Sequence, residues 1–149
     1  MAGGRKKEEK ERMQENMQEN MQREKKTAVE AIEKKAALIG EVADRIWDYA
    51  ELSLQEVRSA ALYCEVLEKE GFEVKKGICG IETAFSASYG SGRPLIGILA
   101  EYDALSGLSQ EAGGLERKEL THGGNGHGCG HNLLGAGALA AAIGIKAFL

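Results

Sequence analysis

Apolar residues step by three and four through Val29, Ile32, Ala36, Ile39, Ala43 and Ile46, the spacing of one buried helix face. This predicts an amphipathic helix from about Thr27, thickened at its end by Trp47 and Tyr49. Ser53 stands three residues before Glu56, as in a capping box, and predicts a second helix. Val57, Ala61, Cys64 and Leu67 would line its inner face, and Gly71 is placed to terminate it. Cys64 then reads as core packing. After Gly71 the period shortens to two. Phe72 and Val74 alternate with charged residues, predicting a strand exposed on one face. Thr83 to Tyr89 reads as another strand, followed by the breaker-rich turn Gly90-Ser91-Gly92-Arg93-Pro94. Leu95 to Ala100 is continuously apolar, which predicts a strand buried on both faces. From about His131 the chain becomes small and apolar again, predicting a core helix packed against the sheet, with Asn132 available to cap it. These elements make the fold class α/β: two N-terminal helices, a mixed sheet, a glycine-rich loop and a helix.

Residues 1–26 form a different zone. Lys6 to Lys10 is wholly charged, and Met13-Gln14-Glu15-Asn16 is nearly repeated as Met17-Gln18-Glu19-Asn20. Met13, Met17 and Met21 recur every four residues, a stripe on one helix face, but one too thin for a coiled coil. The expectation is a charged, partly helical or disordered extension over 1–26, with the folded unit over 27–149.

Composition narrows the class. At 149 residues with a formal net charge of −4, the chain is of ordinary single-domain size and carries no basic footprint for nucleic acid. The three cysteines, Cys64, Cys79 and Cys129, lack disulfide-framework spacing and suit a reducing compartment. No signal-peptide pattern is visible, so a cytoplasmic location is expected. The apolar run Leu133 to Leu149 reads as a core helix, not a membrane span.

Two stretches carry candidate chemistry. Glu101 and Asp103 follow the apolar run Leu95–Ala100, where carboxylates need partners or water. In open α/β sheets that edge is where ligands bind. Two residues apart, they could share one side while Tyr102 points away. The long polar loop from Gly107 to Gly130 then leads to Gly126-His127-Gly128-Cys129-Gly130-His131-Asn132. There His127, Cys129 and His131 alternate with glycines and could converge on one side of an extended loop. Imidazole and thiolate are the preferred ligands of zinc and similar metals. The plain alternative is a flexible loop bearing solvated histidines.

The sequence also carries a resemblance. Trp47 with Glu51, Gly71-Phe72-Glu73-Val74, Thr83-Ala84-Phe85, the run from Ile96 to Leu105, and Asn125 to Asn132 together resemble metallo-amidohydrolases of the aminoacylase and zinc-exopeptidase type. The resemblance covers about residues 28–149 in the same order. It implies the front part of a catalytic α/β domain binding two divalent metals, zinc or manganese, with a dimerisation domain inserted later. Position by position, Cys129 and His131 match metal ligands, and Asp103 matches the active-site aspartate that supports the centre. His127 matches a motif histidine behind the ligands. Glu101 falls where other branches place a ligand histidine. Ala50 before Glu51 and Ser106 after Leu105 stand where many relatives carry proline.

The implied reaction is hydrolysis, without a covalent intermediate, of an amide bond to an amino acid. The implied substrate is p-aminobenzoyl-glutamate or a related N-acyl amino acid or dipeptide. The implied assembly is a homodimer or hetero-oligomer, with no nucleic-acid or membrane partner. The family's glutamate base and remaining ligands fall later in its longer members, so the 149 residues alone are expected to be inactive. A non-catalytic metal-binding or interaction module is the competing reading.

Overall fold

The computed structural model describes residues 2–149, and side chains at residues 8 and 10 and from residue 12 onward; Met1 of the N-terminal zone lies outside them. Helix α1 spans Ala2–Lys34, so helical backbone runs back well before Thr27. The segment before Thr27 holds no proline and no β-branched residue and is rich in Glu, Lys, Gln and Met, all good helix formers. Met13, Met17 and Met21 stay exposed along it.

The single helix expected from Thr27 is divided at Lys35. The Lys35 N–H donates to the Ile32 carbonyl at 2.9 Å, and its Nζ reaches Glu70 Oε1 at 2.5 Å. Helix α2 then runs Ala36–Tyr49. Because the stripe is broken there, Val29 and Ala36 are exposed, while Val42, Ala43 and Ile46 are buried.

Helix α3 spans Val57–Lys69, and the predicted capping box does not form. Glu56 precedes the helix without a side-chain cap bond. Glu51 does that work: its carboxylate accepts from the Arg58 N–H at 3.0 Å, the Ser59 N–H at 2.9 Å and the Ser59 hydroxyl at 2.8 Å. Pinning Ser59 inward rotates the helix from its expected face. Val57 and Ala61 point outward, and Ser59, Ala60, Tyr63 and Val66 point in, with Cys64 and Leu67 buried as expected. At the other end, Gly71 takes a φ of 83°. The Phe72 N–H meets the Leu67 carbonyl and the Gly71 N–H meets the Glu68 carbonyl, both at 2.9 Å, a Schellman closure.

Strands β1 (Glu73–Lys76) and β2 (Phe85–Ser88) pair antiparallel, with Val74 opposite Ala87. They are the only two strands among the described residues, so the expected mixed sheet is a two-stranded one. Leu95 to Ala100 forms no strand, and Leu95, Ile96 and Leu99 are 88%, 76% and 89% exposed. A strand buried on both faces needs neighbours on both edges and a layer over each face. Here β1 and β2 pair with each other and leave the run without either.

Helix α4 (His131–Phe148) closes the core. Its Leu139 and Ile143 meet Val42 and Ile46 of α2 and Leu62, Tyr63, Val66 and Leu67 of α3. Gly144 lets α1 approach closely: a methyl there would stand 2.9 Å from Ile32. By length and hydropathy α4 could cross a membrane, but here one face of it packs into this core. The architecture remains α/β: among the described residues, four α-helices and a two-stranded sheet that packs against α3.

Candidate metal centre

The glycine-rich loop is fastened to α2 by side chains. Asn125 Nδ2 donates to the Ala50 carbonyl at 3.2 Å, His127 Nε2 to the Ile46 carbonyl at 2.9 Å and Asn132 Nδ2 to the Ala43 carbonyl at 3.3 Å. Asn132 therefore does not cap α4. It lies inside the helix, buried against α2, and Gly130, in a left-handed conformation (φ 77°), precedes the first turn.

The acidic segment is held from two sides. The Ala104 N–H donates to the Glu51 carbonyl at 2.7 Å, and Leu105 and Gly126 exchange backbone hydrogen bonds of 3.0 Å in both directions. Just before these anchors Tyr102 turns inward. Its hydroxyl donates to the Thr83 carbonyl, and its ring packs against Tyr63 and Phe85. Burial pushes the Tyr102 phenol above its ordinary range, with nearby acidic groups adding to the effect. The alternation expected for residues 101–103 holds: Glu101 and Asp103 face the other way.

There they meet His131. His131 Nδ1 lies 2.9 Å from Asp103 Oδ1 and 3.1 Å from the Asp103 carbonyl oxygen, and its Nε2 lies 3.3 Å from Glu101 Oε2. Ligand-capable atoms of Glu101, Asp103 and His131 all fall within 4.8 Å of one another. An imidazole Nε2 beside one carboxylate, with a second carboxylate at Nδ1, suits a divalent ion such as zinc or manganese on the Glu101 side. In the tautomer with its hydrogen on Nδ1, Asp103 Oδ1 and the Asp103 carbonyl oxygen both accept from His131, and the Nε2 lone pair is left for an ion on the Glu101 side. A carboxylate orienting a histidine from behind is the usual support of a ligating imidazole.

The cluster brings together three of the five residues singled out from sequence. Cys129 is exposed and lies outside it. His127 is buried beneath the loop, tilted against Trp47 at 6.2 Å between ring centroids. Glu101 is the residue whose part was least evident: its place after the apolar run, its spacing from Asp103 and a resemblance to a position held by a histidine in other branches singled it out without giving it a role.

Burial holds the His127 imidazole below its ordinary pKa, and proximity to His131 lowers it further; the hydrogen bond to Ile46 and the nearby Asp103 oppose this without reversing it. Unfolded, the same imidazole would titrate near 6.5. The unfolded chain then binds the extra proton, so stability is full above about pH 6.5 and falls as pH drops below it. Urea midpoints measured from pH 7.5 to 5 should decline more steeply in the wild type than in His127→Gln. Parallel profiles would refute the buried neutral imidazole.

No protein-family model matches the chain. It is similar to one of the subunits of p-aminobenzoyl-glutamate hydrolase from Escherichia coli (strain K12), 48% identical over 120 residues, which are 80% of this chain and 25% of that protein. It is also similar to Xaa-Arg dipeptidase of Mus musculus, 30% identical over 135 residues covering 84% of the chain and 27% of the relative. The Homo sapiens Xaa-Arg dipeptidase is 28% identical over 135 residues, with 82% and 27% covered. The chain thus spans about a quarter of the length of these relatives. All three are named as hydrolases of amide or peptide bonds, in keeping with the resemblance carried by the motifs.

Proposed function

We infer that this chain, a member of the metallo-amidohydrolase family, contributes metal-binding and substrate-facing residues to a hydrolase that cleaves an amide bond to an amino acid. The observation that carries the reading is the convergence of Glu101, Asp103 and His131 in a chain 48% identical to a p-aminobenzoyl-glutamate hydrolase subunit. p-Aminobenzoyl-glutamate is the leading substrate, ahead of other N-acyl amino acids and dipeptides. His131 Nε2 and Glu101 hold the ion, Asp103 keeps the imidazole in register, and Cys129 joins from the loop as it does by family resemblance. A bound zinc or manganese ion would polarise the scissile carbonyl and acidify its water. A second ion, a partner subunit and a cytoplasmic setting belong to the same reading.

A graft tests it. The matching 120 residues should replace their counterpart in the Escherichia coli protein and retain metal-dependent hydrolysis of p-aminobenzoyl-glutamate. His131→Ala in the graft should abolish turnover, and the 149 residues by themselves should show none. A folded, metal-loaded graft inert toward this substrate and toward N-acyl amino acids and dipeptides would overturn the reading. So would turnover by the isolated chain.

A further inference from the structure

Residues 95–100 are apolar, unpaired and open to solvent. Leu95, Ile96, Ile98 and Leu99 are 88%, 76%, 46% and 89% exposed. No turn or bend interrupts the segment, and among the described residues none of its N–H or carbonyl groups enters a backbone hydrogen bond. An exposed apolar segment with a free row of donors and acceptors is a template for strand pairing, and its side chains gain by being covered.

The order of the residues says which strand fits. Leu95-Ile96-Gly97-Ile98-Leu99 reads the same in both directions. A two-fold axis sets residue i of one copy against j of the other, and j against i. An antiparallel pair centred on Gly97 therefore matches Leu95 with Leu99 and Ile96 with Ile98, each twice. Residues opposite one another in such a pair share a face, so leucines meet on one face and isoleucines on the other. The charges at the ends agree with this direction. Arg93, exposed just before the run, comes to the end of the other copy that carries Glu101, whose side chain is 58% exposed. Parallel pairing in register would instead set Arg93 beside Arg93 and Glu101 beside Glu101. We propose that this run is a self-association surface whose occupant is a second copy of this chain, added antiparallel about Gly97.

Sedimentation velocity in the presence of chelator should show monomer passing to dimer, and no further, as concentration rises from micromolar to submillimolar. Leu99→Lys changes a residue that is already exposed, and it should stay monomeric with an unchanged circular dichroism spectrum. Arg93→Glu should weaken the dimer by about tenfold, because both ends exchange an attraction for a repulsion. Gly97→Cys tests the register. A methyl at Gly97 meets nothing within 4 Å, so the fold accepts the side chain, and the two new thiols face each other across the axis at a separation that a disulfide spans. Under mild oxidant this variant should cross-link through position 97, read by peptide mass spectrometry, while Leu95→Cys, off the axis, should not cross-link through position 95. A monomer at every concentration, an open series of larger species, a dimer indifferent to Leu99→Lys or Arg93→Glu, or equal cross-linking through the two positions would overturn the proposal. The chelator keeps the outcome independent of the metal reading.

Discussion

Replacing Gly126 by alanine should destabilise the chain by about 1–3 kcal/mol, the usual cost of forcing a methyl into filled space, and weaken metal binding along with it. The added methyl would overlap the Leu108 carbonyl oxygen and stand 2.6 Å from its carbon. These are backbone atoms, so no change of rotamer relieves the clash. Gly126 also exchanges two hydrogen bonds with Leu105, and that exchange keeps the loop against the segment carrying Glu101 and Asp103. His131 follows five residues later. Pushing the two backbones apart therefore separates the imidazole from its carboxylates as well as loosening the fold. Urea unfolding gives the first effect and calorimetric titration of zinc the second. Gly137→Ala is the control: a methyl there meets nothing within 4 Å, and an exposed helical alanine stabilises relative to glycine. A Gly126→Ala protein as stable as the wild type, with undiminished affinity, would mean that this crossing does not set the site.

The same crossing explains what could be read in the residues beforehand. Local signals were reliable where local physics decides. Gly71 ends α3 in the conformation only glycine adopts freely, and the 101–103 alternation turns Tyr102 inward and its neighbours outward. Signals that depend on a distant partner failed. Ser53 and Glu56 have the spacing of a capping box, but Glu51, folded back from beyond α2, reaches Arg58 and Ser59 first. Asn132 has the chemistry of a cap and is instead drawn to the Ala43 carbonyl. Lys35 breaks a helical stripe that looks continuous, with its ammonium engaged by Glu70, 35 residues away. Leu95 to Ala100 has the composition of a central strand, yet composition supplies no neighbours, and in this chain it has none. The candidate cluster was legible in part: His131 and Asp103 stood out by type and motif and Glu101 by its spacing, but only backbone geometry set Glu101 beside Nε2.

The histidine and cysteine of the loop should separate cleanly in a metal titration. His131 offers the one imidazole in the cluster, with Asp103 behind it at 2.9 Å and Glu101 beside Nε2 at 3.3 Å. Removing an outer partner of a ligating histidine costs roughly 10–100-fold in affinity. Asp103→Asn should fall in that range, because the amide can still meet Nδ1 but no longer polarises the ring. His131→Ala removes the ligand itself and should lose more than that for zinc and manganese alike. Cys129 is exposed and outside the cluster, while the proposed function brings its thiolate to the ion from the loop. Thiolate favours zinc over manganese, so Cys129→Ser should weaken zinc selectively and leave manganese nearly unchanged. Affinity in every protein should fall with pH, since thiol and imidazole must release their protons to bind. Calorimetric titration with each ion resolves the four proteins. Equal affinities in wild type, Asp103→Asn, His131→Ala and Cys129→Ser would reduce the motif to a glycine-rich loop bearing solvated side chains. A loss in Cys129→Ser shared equally by both ions would instead make the thiol a structural support of the loop.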